Sequence, residues 1–203
     1  DVITVTAQKR EQTLQETPVS VSVVAVSSKQ QSQVRDAAAL QILAPTLTVS
    51  EFAASTNTQF TLRGVGTSSF NPGLEPSVGV FIDGVYRPRA GAAINDLLSI
   101  ERVEVIRGPQ STLFGRNTPA GVVSFITKEP EFEFGGDAEL TVGNYGQFVA
   151  KGTITGPLTD TETLAFRLDA TTHTNDGYLE NVAPVGQIDQ VNNRDRQNFR
   201  AQL

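Results

Sequence analysis

The most informative part of this 203-residue chain is the stretch 100–128, which reads IERVEVIRGPQSTLFGRNTPAGVVSFITK. Alternating residue types predict a strand over 100–107, and the Gly-Pro pair after it turns the chain. Ser111 can begin a single helical turn that Gly115 ends. The apolar run 121–127 predicts a second strand. We therefore expect this stretch to form part of a small sheet with tight connections.

The predicted strand 100–107 has two different sides, because successive side chains of a strand point to opposite faces of the sheet. One side carries Val103 and Val105. The other side carries Ile100, Arg102, Glu104 and Ile106.

Short strands and turns precede this stretch. Four strands are predicted there: 1–7, 18–24, 59–63 and 78–82. The last strand is closed by the hairpin signal Asp83-Gly84 and continued by Val85-Tyr86. Two short helices are predicted, one that Ser27 or Ser28 caps and that runs through Val34, and one that begins at Asp36 and stops at Pro45. Nothing beside segment 1–7 is an obvious pairing partner for it.

After Pro130 the chain changes to longer alternating segments, over 137–142, 148–154, 164–173 and 198–203. The clearest of them places Leu164, Phe166, Leu168 and Ala170 on one face, and Arg167, Asp169, Thr171 and His173 on the other. An apolar face against a charged face, over segments of about ten residues, is typical of a transmembrane barrel. An amphipathic sheet on a soluble core gives the same pattern, so these strands alone leave both interpretations open.

Composition narrows the possible functions. The formal net charge of −6 argues against a nucleic-acid partner, which needs a basic face. The chain has no cysteine, so it offers no thiolate nucleophile and no cysteine-based zinc site. Met is also absent, and Asp1 is interpreted as a processed or trimmed end. No stretch approaches the roughly 20 apolar residues of a membrane-spanning helix, so any membrane contact must use strands.

Residues 100–128 strongly resemble the plug signature of TonB-dependent outer-membrane receptors. Phe60–Gly64 and Val80–Tyr86 are similar to two further motifs of that family, in the same order, and Ile3–Ala7 resembles a TonB box. The common Tyr-Gly of the family is Phe114-Gly115 in this chain.

The resemblance implies an α+β plug domain with a small mixed sheet, followed by the first antiparallel strands of a transmembrane β-barrel of the 22-stranded type. It divides the chain into a TonB box and periplasmic N-terminal segment at 1–12, a plug domain at 13–130, and the first barrel strands at 131–203. Too few residues follow the plug to close such a barrel, so the chain is interpreted as a fragment.

By resemblance, the expected function is active transport across the bacterial outer membrane, with the plug inside the barrel and the N-terminus in the periplasm. The expected partners are TonB with its inner-membrane energising complex, outer-membrane lipid, and a small nutrient ligand such as a ferric siderophore or similar iron complex. Import of sugars or cobalamin stays open, as does a soluble binding or signalling module with a plug-like fold. A periplasmic hydrolase is the third alternative, although no enzyme activity, cofactor or metal is expected.

The resemblance and the residue chemistry together assign three groups of site residues. The TonB-binding group, expected to be an exposed segment whose unpaired backbone a partner strand can pair, comprises Ile3, Thr4, Val5, Thr6 and Ala7. The plug–barrel contacts, expected to reach acidic residues of the barrel wall, are Arg63, Arg107 and Arg116. The substrate-binding residues, on loops that mix aromatic, hydroxyl and cationic groups, are Ser68, Ser69, Phe70, Asn71, Tyr86, Arg87 and Arg89.

Other candidate sites are weak. His173 is the only histidine and lies on the polar face of a predicted strand, where a solvated side chain is expected. A Ser-His-Asp arrangement would have to use it, yet the chain has no G-x-S-x-G elbow. Gly64-Val65-Gly66 lacks the third glycine of a dinucleotide-binding loop.

Overall fold

The computed structural model describes residues 4–10, 12–25, 41, 44–51, 58–67, 74–88, 99–159, 161, 163–177, 179–180, 190–191 and 193–203. The chain divides into two units, Asp1–Lys128 and Glu129–Leu203. Each unit is built on its own sheets, and each is described separately below.

The first unit is made of short strands joined by turns. Its strands are β1 (Thr4–Val5), β2 (Gln12–Thr13), β3 (Val21–Ala25), β4 (Leu47–Glu51), β5 (Thr58–Leu62), β6 (Val78–Ile82), β7 (Val85–Tyr86), β8 (Ile100–Arg107) and β9 (Gly121–Thr127). A four-residue helix, α1 (Ser111–Phe114), lies between β8 and β9, where the sequence predicts one helical turn. The two longer predicted helices fall almost entirely outside the described residues.

Five strands of the first unit form the central sheet, in the order β3-β8-β9-β6-β7. Strands β6 and β9 run parallel, and the other neighbours are antiparallel, which confirms the predicted mixed sheet. The predicted Asp-Gly hairpin joins β6 to β7, with Asp83 at φ 47° and Gly84 at φ 76°. Strand β4, which is not among the predicted strands, pairs antiparallel with β5 in a separate sheet.

The central sheet has a hydrophobic cluster on each face. The first core cluster includes Val103, Val105, Val123 and Phe125, each at most 1% exposed. The second core cluster consists of five buried residues: Val5, Ala7, Phe81, Ile106 and Val122. The prediction that Ile106 lies opposite Val103 and Val105 is confirmed.

The prediction that Ile100 shares the side of Ile106 is wrong. Ile100 belongs to the first core cluster, with Val103 and Val105. The cause is an irregularity in the pairing of β8 with β9 between Ile100 and Arg102, because a β-bulge shifts the alternation of side chains by one residue.

The second unit is an antiparallel sheet of longer strands. They are β10 (Gly135–Val142), β11 (Phe148–Pro157), β12 (Ala165–Asn175) and β15 (Arg194–Gln202), in the order β10-β11-β12-β15. Between β12 and β15 lies a two-residue pair, β13 (Leu179–Glu180) with β14 (Gln190–Val191). The turn between β10 and β11 has left-handed backbone at Tyr145 and Gly146, with φ 58° and 63°. These strands match the alternating segments predicted from the sequence.

Burial in this sheet is the reverse of the pattern in a soluble sheet. The apolar face is exposed, with Leu140 at 74% and Phe199 at 71%. The polar face is covered: Arg167 is 3% and Asp169 is 1% exposed. These two side chains form an ion pair, with 3.3 Å between Nε of Arg167 and Oδ1 of Asp169. His173, expected to be solvated, is only partly exposed and has a partner.

No helix among the described residues is long and apolar enough to cross a membrane.

Candidate functional site

The N-terminal segment Thr4–Ala7 docks against the second core cluster. Val5 and Ala7 are each 1% exposed and pack with Phe81, Ile106 and Val122. Thr4, between the chain end and Val5, is exposed. The side chains of Val5 and Ala7 therefore point at the sheet, while the side chain of Thr4 remains accessible.

The backbone of the same segment is also engaged. Strand β1 pairs antiparallel with β2, with Thr4 opposite Thr13 and Val5 opposite Gln12. The Thr6 amide donates a hydrogen bond to Oε1 of Glu104 at 2.8 Å, and the Thr6 hydroxyl donates to the same oxygen at 3.1 Å. The expectation of an exposed, unpaired segment is therefore wrong for this conformation. Local sequence gave no sign of the contact, since Thr6 and Glu104 lie 98 residues apart.

Glu104 is a carboxylate buried in the middle of β8, with no exposed surface. Its Oε1 accepts a third hydrogen bond from Nε of Arg102 at 3.0 Å. No hydrogen-bond partner for Oε2 is found among the described residues. Since a buried charge is costly unless it is paired, the three hydrogen bonds to Oε1 are needed to stabilise the buried side chain of Glu104.

Arg102 is the fixed cation beside this carboxylate. Burial lowers the pKa of Arg102, but hydrogen bonds and charge interactions with Glu104 and Glu101 outweigh that effect, and the pKa is raised above its usual range. Its Nη1 lies 2.7 Å from Oε1 of Glu101. The guanidinium therefore remains charged, and its Nε donates to Oε1 of Glu104.

A cationic region occupies one end of the central sheet. Arg107 ends β8 opposite Gly121, the first residue of β9. Arg87 follows β7, and its amide donates to the carbonyl of Val80, the central residue of β6. Arg116 lies in the loop that leads into β9, and its side chain is exposed. Topology thus brings predicted plug–barrel and predicted substrate residues to the same end of the sheet.

Arg63 extends this cationic end. It occupies a turn with left-handed backbone, at φ 52°, and is exposed. Leu62 beside it reaches Gly121, where an added Cβ would lie 2.7 Å from its Cδ1. The turn that carries Arg63 is therefore close to the ends of β8 and β9.

The side chain of Arg107 is held by two hydroxyl groups, one from Ser22 in β3 and one from Ser20 just before β3. Its Nη1 donates to Oγ of Ser20 at 3.2 Å, and its Nη2 contacts Oγ of Ser22. Its buried Nε has no hydrogen-bond partner within the part of the chain that the structure describes. The two terminal nitrogens of the guanidinium are therefore oriented by neutral hydroxyl partners.

Tyr86 is half-buried, and its two ends have different surroundings. Its hydroxyl receives a hydrogen bond at 3.3 Å from Nδ2 of Asn117, which also donates to Glu75 at 2.5 Å. Its ring packs on Phe81, with 5.5 Å between ring centroids. Tyr86 therefore contacts Asn117 through its hydroxyl and the second core cluster through its ring.

An aromatic chain of contacts runs from Tyr86 toward the N-terminal segment. Phe81 packs edge-on against Phe114, with 5.1 Å between centroids. The Lys9 ammonium lies 5.5 Å from the centroid of the Phe114 ring, a cation–π distance. Sequence patterns indicate no role for Lys9, Glu75, Glu104 or Asn117, because each side chain makes its contact with a residue that is distant in sequence.

Several predicted site residues lie outside the described residues. They are Ile3, Ser68, Ser69, Phe70, Asn71 and Arg89. Among the residues that the structure does describe, no three His, Cys, Asp or Glu side chains come together as a metal site would require.

The plug-type mixed sheet, the docked N-terminal strand and the sheet with an exposed apolar face are typical of outer-membrane receptors that carry a plug. Residues 13–122 match the family model of the TonB-dependent receptor plug domain, and the chain belongs to this family. The match covers more than half of the chain and most of the first unit.

Individual relatives support the same assignment. The ferrioxamine B receptor of Salmonella typhimurium strain LT2 is 32% identical over 165 residues, which are 77% of this chain and 22% of that receptor. The chain therefore spans about a fifth of the length of that relative. The crystal structure of the ferric yersiniabactin uptake receptor FyuA from Yersinia pestis is 25% identical, with a TM-score of 0.78, and the likeness covers 90% of this chain and 28% of that one.

The alcaligin outer-membrane receptor FauA from Bordetella pertussis is a further structural neighbour. It is 25% identical, with a TM-score of 0.65, and the likeness covers 84% of this chain and 29% of that one. Since 84–90% of the chain is covered, both the plug sheet and the antiparallel strands after it correspond to parts of known receptors.

Proposed function

We propose that the full-length protein imports a ferric siderophore, or a similar iron complex, across the bacterial outer membrane and is powered by TonB. The observation that carries this proposal is the combination of a plug domain with strands whose apolar face is exposed. Two relatives have names that state a cargo: the ferrioxamine B receptor and the ferric yersiniabactin uptake receptor. Both names support an iron complex as the ligand.

The second unit supports a membrane location. A sheet that exposes Leu140 and Phe199 while covering Arg167 and Asp169 would aggregate in water, but it fits a wall with lipid on one side and polar groups on the other. This burial pattern favours the barrel over the soluble amphipathic sheet that the alternation alone left open. The proposed function requires the N-terminus to lie in the periplasm, where TonB can reach it.

The cationic end of the plug sheet suits an anionic ligand and an acidic wall. The side-chain partners of Arg107 are the neutral hydroxyls of Ser20 and Ser22, and a guanidinium of this kind can pair with a carboxylate of the barrel wall. Arg63 and Arg116 are assigned the same role. Arg87 and Tyr86, with the predicted loop residues Ser68 to Asn71 and Arg89, are assigned to ligand contact.

Segment Ile3–Ala7 is the proposed binding site for TonB. An extended segment can pair with a strand of a partner through backbone hydrogen bonds. Thr4 is exposed and β-branched residues surround it, which favours an extended backbone. Binding in this mode requires the amide at residue 5, which gives a direct test.

The test uses a strain that lacks the full-length gene, complemented with the wild-type receptor or with Val5→Pro. Proline removes the backbone donor and resists strand pairing, so we expect normal insertion but no growth under iron limitation. Val5→Ile, which keeps the amide and the β-branched shape, is the matched control and should grow normally.

Two results would contradict the proposal. Uptake of the iron complex at the normal rate by Val5→Pro would remove the case for segment Ile3–Ala7. Equal growth of the deletion strain and its parent under iron limitation would refute the iron cargo and direct the search to sugars or cobalamin.

A further inference from the structure

We propose that the polar face of strand β15 binds oxyanion groups of the transported iron complex, through a track of three guanidinium groups: Arg194, Arg196 and Arg200. This inference rests on the proposed function for the cargo and for the position of this face inside the barrel, and it adds that the cargo is an anion. The track itself is made only of residues of the second unit.

The basic residues of the second unit all lie on one face of its sheet. Acidic residues outnumber basic residues in this unit, yet every Lys and Arg belongs to the polar face of β11, β12 or β15. The strand register establishes this, because residues directly opposite each other in neighbouring strands point to the same face. Alternation separates polar from apolar residues but not positive from negative ones, so this face has a sign of its own. Its basic residues are Lys151, Arg167, Arg194, Arg196 and Arg200.

The three acidic side chains on the polar face of the four strands do not cancel the charge of β15. Asp169 forms its ion pair with Arg167, and Oε2 of Glu139 lies 3.8 Å from Nζ of Lys151. The third, Asp137, is in β10, at the opposite edge of the four-stranded sheet from β15. The arginines of β15 therefore give their edge of the face an excess of positive charge.

Every polar-face residue of β15 can donate hydrogen bonds from its side chain. Residues two apart in a strand lie about 7 Å from each other, so two neighbouring arginines can hold one multivalent anion together. A guanidinium also binds a carboxylate through two parallel hydrogen bonds, which favours oxyanions over halide ions. The donors alternate with exposed residues and are all partly covered: Arg194, Arg196, Asn198, Arg200 and Gln202.

The strength of binding should differ along the track. Arg194 and Arg196 lie opposite Asn175 and His173 of β12, so this end has no acidic residue directly across from it. Arg200 lies opposite Asp169, whose carboxylate repels an anion at that position. An oxyanion is therefore held at the Arg194 end and more weakly at the Arg200 end, which allows binding without trapping.

The experiment measures the sign of the charge on this face with a cysteine at residue 198. Asn198 lies on the polar face between Arg196 and Arg200 and is partly covered. This chain has no cysteine, and any cysteine elsewhere in the full-length receptor is replaced. Asn198→Cys is reacted, in outer-membrane vesicles, with the anionic sulfonatoethyl and the cationic trimethylammonioethyl methanethiosulfonate. The ratio of the two rates cancels the intrinsic reactivity of the thiol, and we expect the anionic reagent to react faster.

Removing one arginine should lower this anion-to-cation rate ratio by a predictable factor. Arg196 lies about 7 Å from residue 198 along the strand. A unit charge at that distance, in water and salt, changes the local concentration of a monovalent ion about twofold, in opposite directions for an anion and a cation. Arg196→Gln should therefore lower the ratio about fourfold.

The matched control is Lys151→Gln, which also removes one positive charge from the polar face. Lys151 lies in the same row as Asn198 but two strands away, and Glu139 balances its charge. This control should lower the ratio by less than about twofold.

Binding of oxyanions is tested with citrate, a tricarboxylate, against sodium chloride at equal ionic strength. Citrate at twice its dissociation constant should slow the anionic reagent about threefold relative to chloride, because bound citrate occupies the track. Arg196→Lys keeps the charge but loses the planar pair of donors. This variant should therefore keep the rate ratio and lose most of the effect of citrate.

Three results would overturn the inference. The first is an equal rate ratio in Arg196→Gln and Lys151→Gln. The second is a cysteine at residue 198 that reacts with neither reagent, since the face would then be closed to solutes. The third is equal slowing by citrate and chloride, which would mean a positive face without a binding site. If Arg196→Gln does not insert, Arg200→Gln, on the other side of residue 198, replaces it.

These results are independent of growth under iron limitation. A track that binds citrate, in a receptor whose deletion leaves growth under iron limitation unchanged, would support the anion site and refute the iron cargo. A growth defect without citrate binding would do the reverse.

Discussion

Shortening Val5 to alanine should loosen the docked N-terminal segment by a predictable amount. Val5 is 1% exposed and belongs to the second core cluster. Val5→Ala removes two methyl groups from this site, each contributing about 0.8 kcal/mol, and leaves a small cavity. Docking should weaken by about 2 kcal/mol, which corresponds to roughly a thirtyfold change in the opening equilibrium.

Amide hydrogen exchange at Thr6 measures that equilibrium directly. The Thr6 amide is protected by its hydrogen bond to Glu104 at 2.8 Å, so it exchanges only when the segment opens. The full-length receptor is exchanged in its native membrane or detergent environment, and we expect exchange at Thr6 to be roughly thirty times faster in Val5→Ala.

Thr4→Ala is the matched control for this measurement. Thr4 lies next to Val5 in β1, but its side chain is exposed. It contributes backbone pairing, which alanine retains, and little buried surface. Exchange at Thr6 in Val5→Ala that is no faster than in Thr4→Ala would refute the conclusion that apolar burial holds the segment.

Three further predictions concern the two sheets. Phe125→Ala should destabilise the first unit by about 3–5 kcal/mol in thermal unfolding, because the side chain is fully buried. Phe125→Leu should destabilise the unit much less. Equal losses of stability in the two variants would count against the placement of Phe125 in the core. Phe199→Arg places a charge on the exposed apolar face, which should cost about 2–4 kcal/mol and reduce the amount of folded receptor in the outer membrane. Asn198→Arg, on the other face, should leave that amount unchanged. Equal amounts of folded receptor in the two variants would contradict a lipid-facing surface. Gly121→Ala should make the plug sensitive to protease, since φ is 145° and the new Cβ would lie 2.3 Å from the carbonyl oxygen of Ile106. Gly152→Ala places its Cβ in open space and should be tolerated. Equal protease resistance of the two variants would contradict the close approach at Gly121.

Much of the central sheet was predictable from short-range patterns. The structure contains the predicted strand Ile100–Arg107, the Asp83-Gly84 hairpin and the Ser111 helical turn, and each of these depends on residues adjacent in sequence. The alternation of residues 164–170 likewise identified an apolar face and a polar face in β12. Patterns of this kind report local backbone periodicity, which neighbouring residues determine.

The contacts at the candidate site were not predictable in the same way. Strand β2 is only Gln12–Thr13, too short and polar to signal pairing with β1. The bulge after Ile100 moves one side chain to the opposite face without any turn residue to indicate it. The Tyr86–Asn117–Glu75 contacts join three separate segments of the chain.

For this protein, the order of strands along the chain, their alternating faces and the family signature were available from residue types alone. Tertiary structure decided that Thr4–Ala7 is docked rather than free, that Glu104 accepts from Thr6, and that the apolar face of the second unit is the exposed one. The physical reason is that alternation establishes two faces without saying which one is covered. Coverage depends on tertiary contacts, which residue types along the chain do not specify.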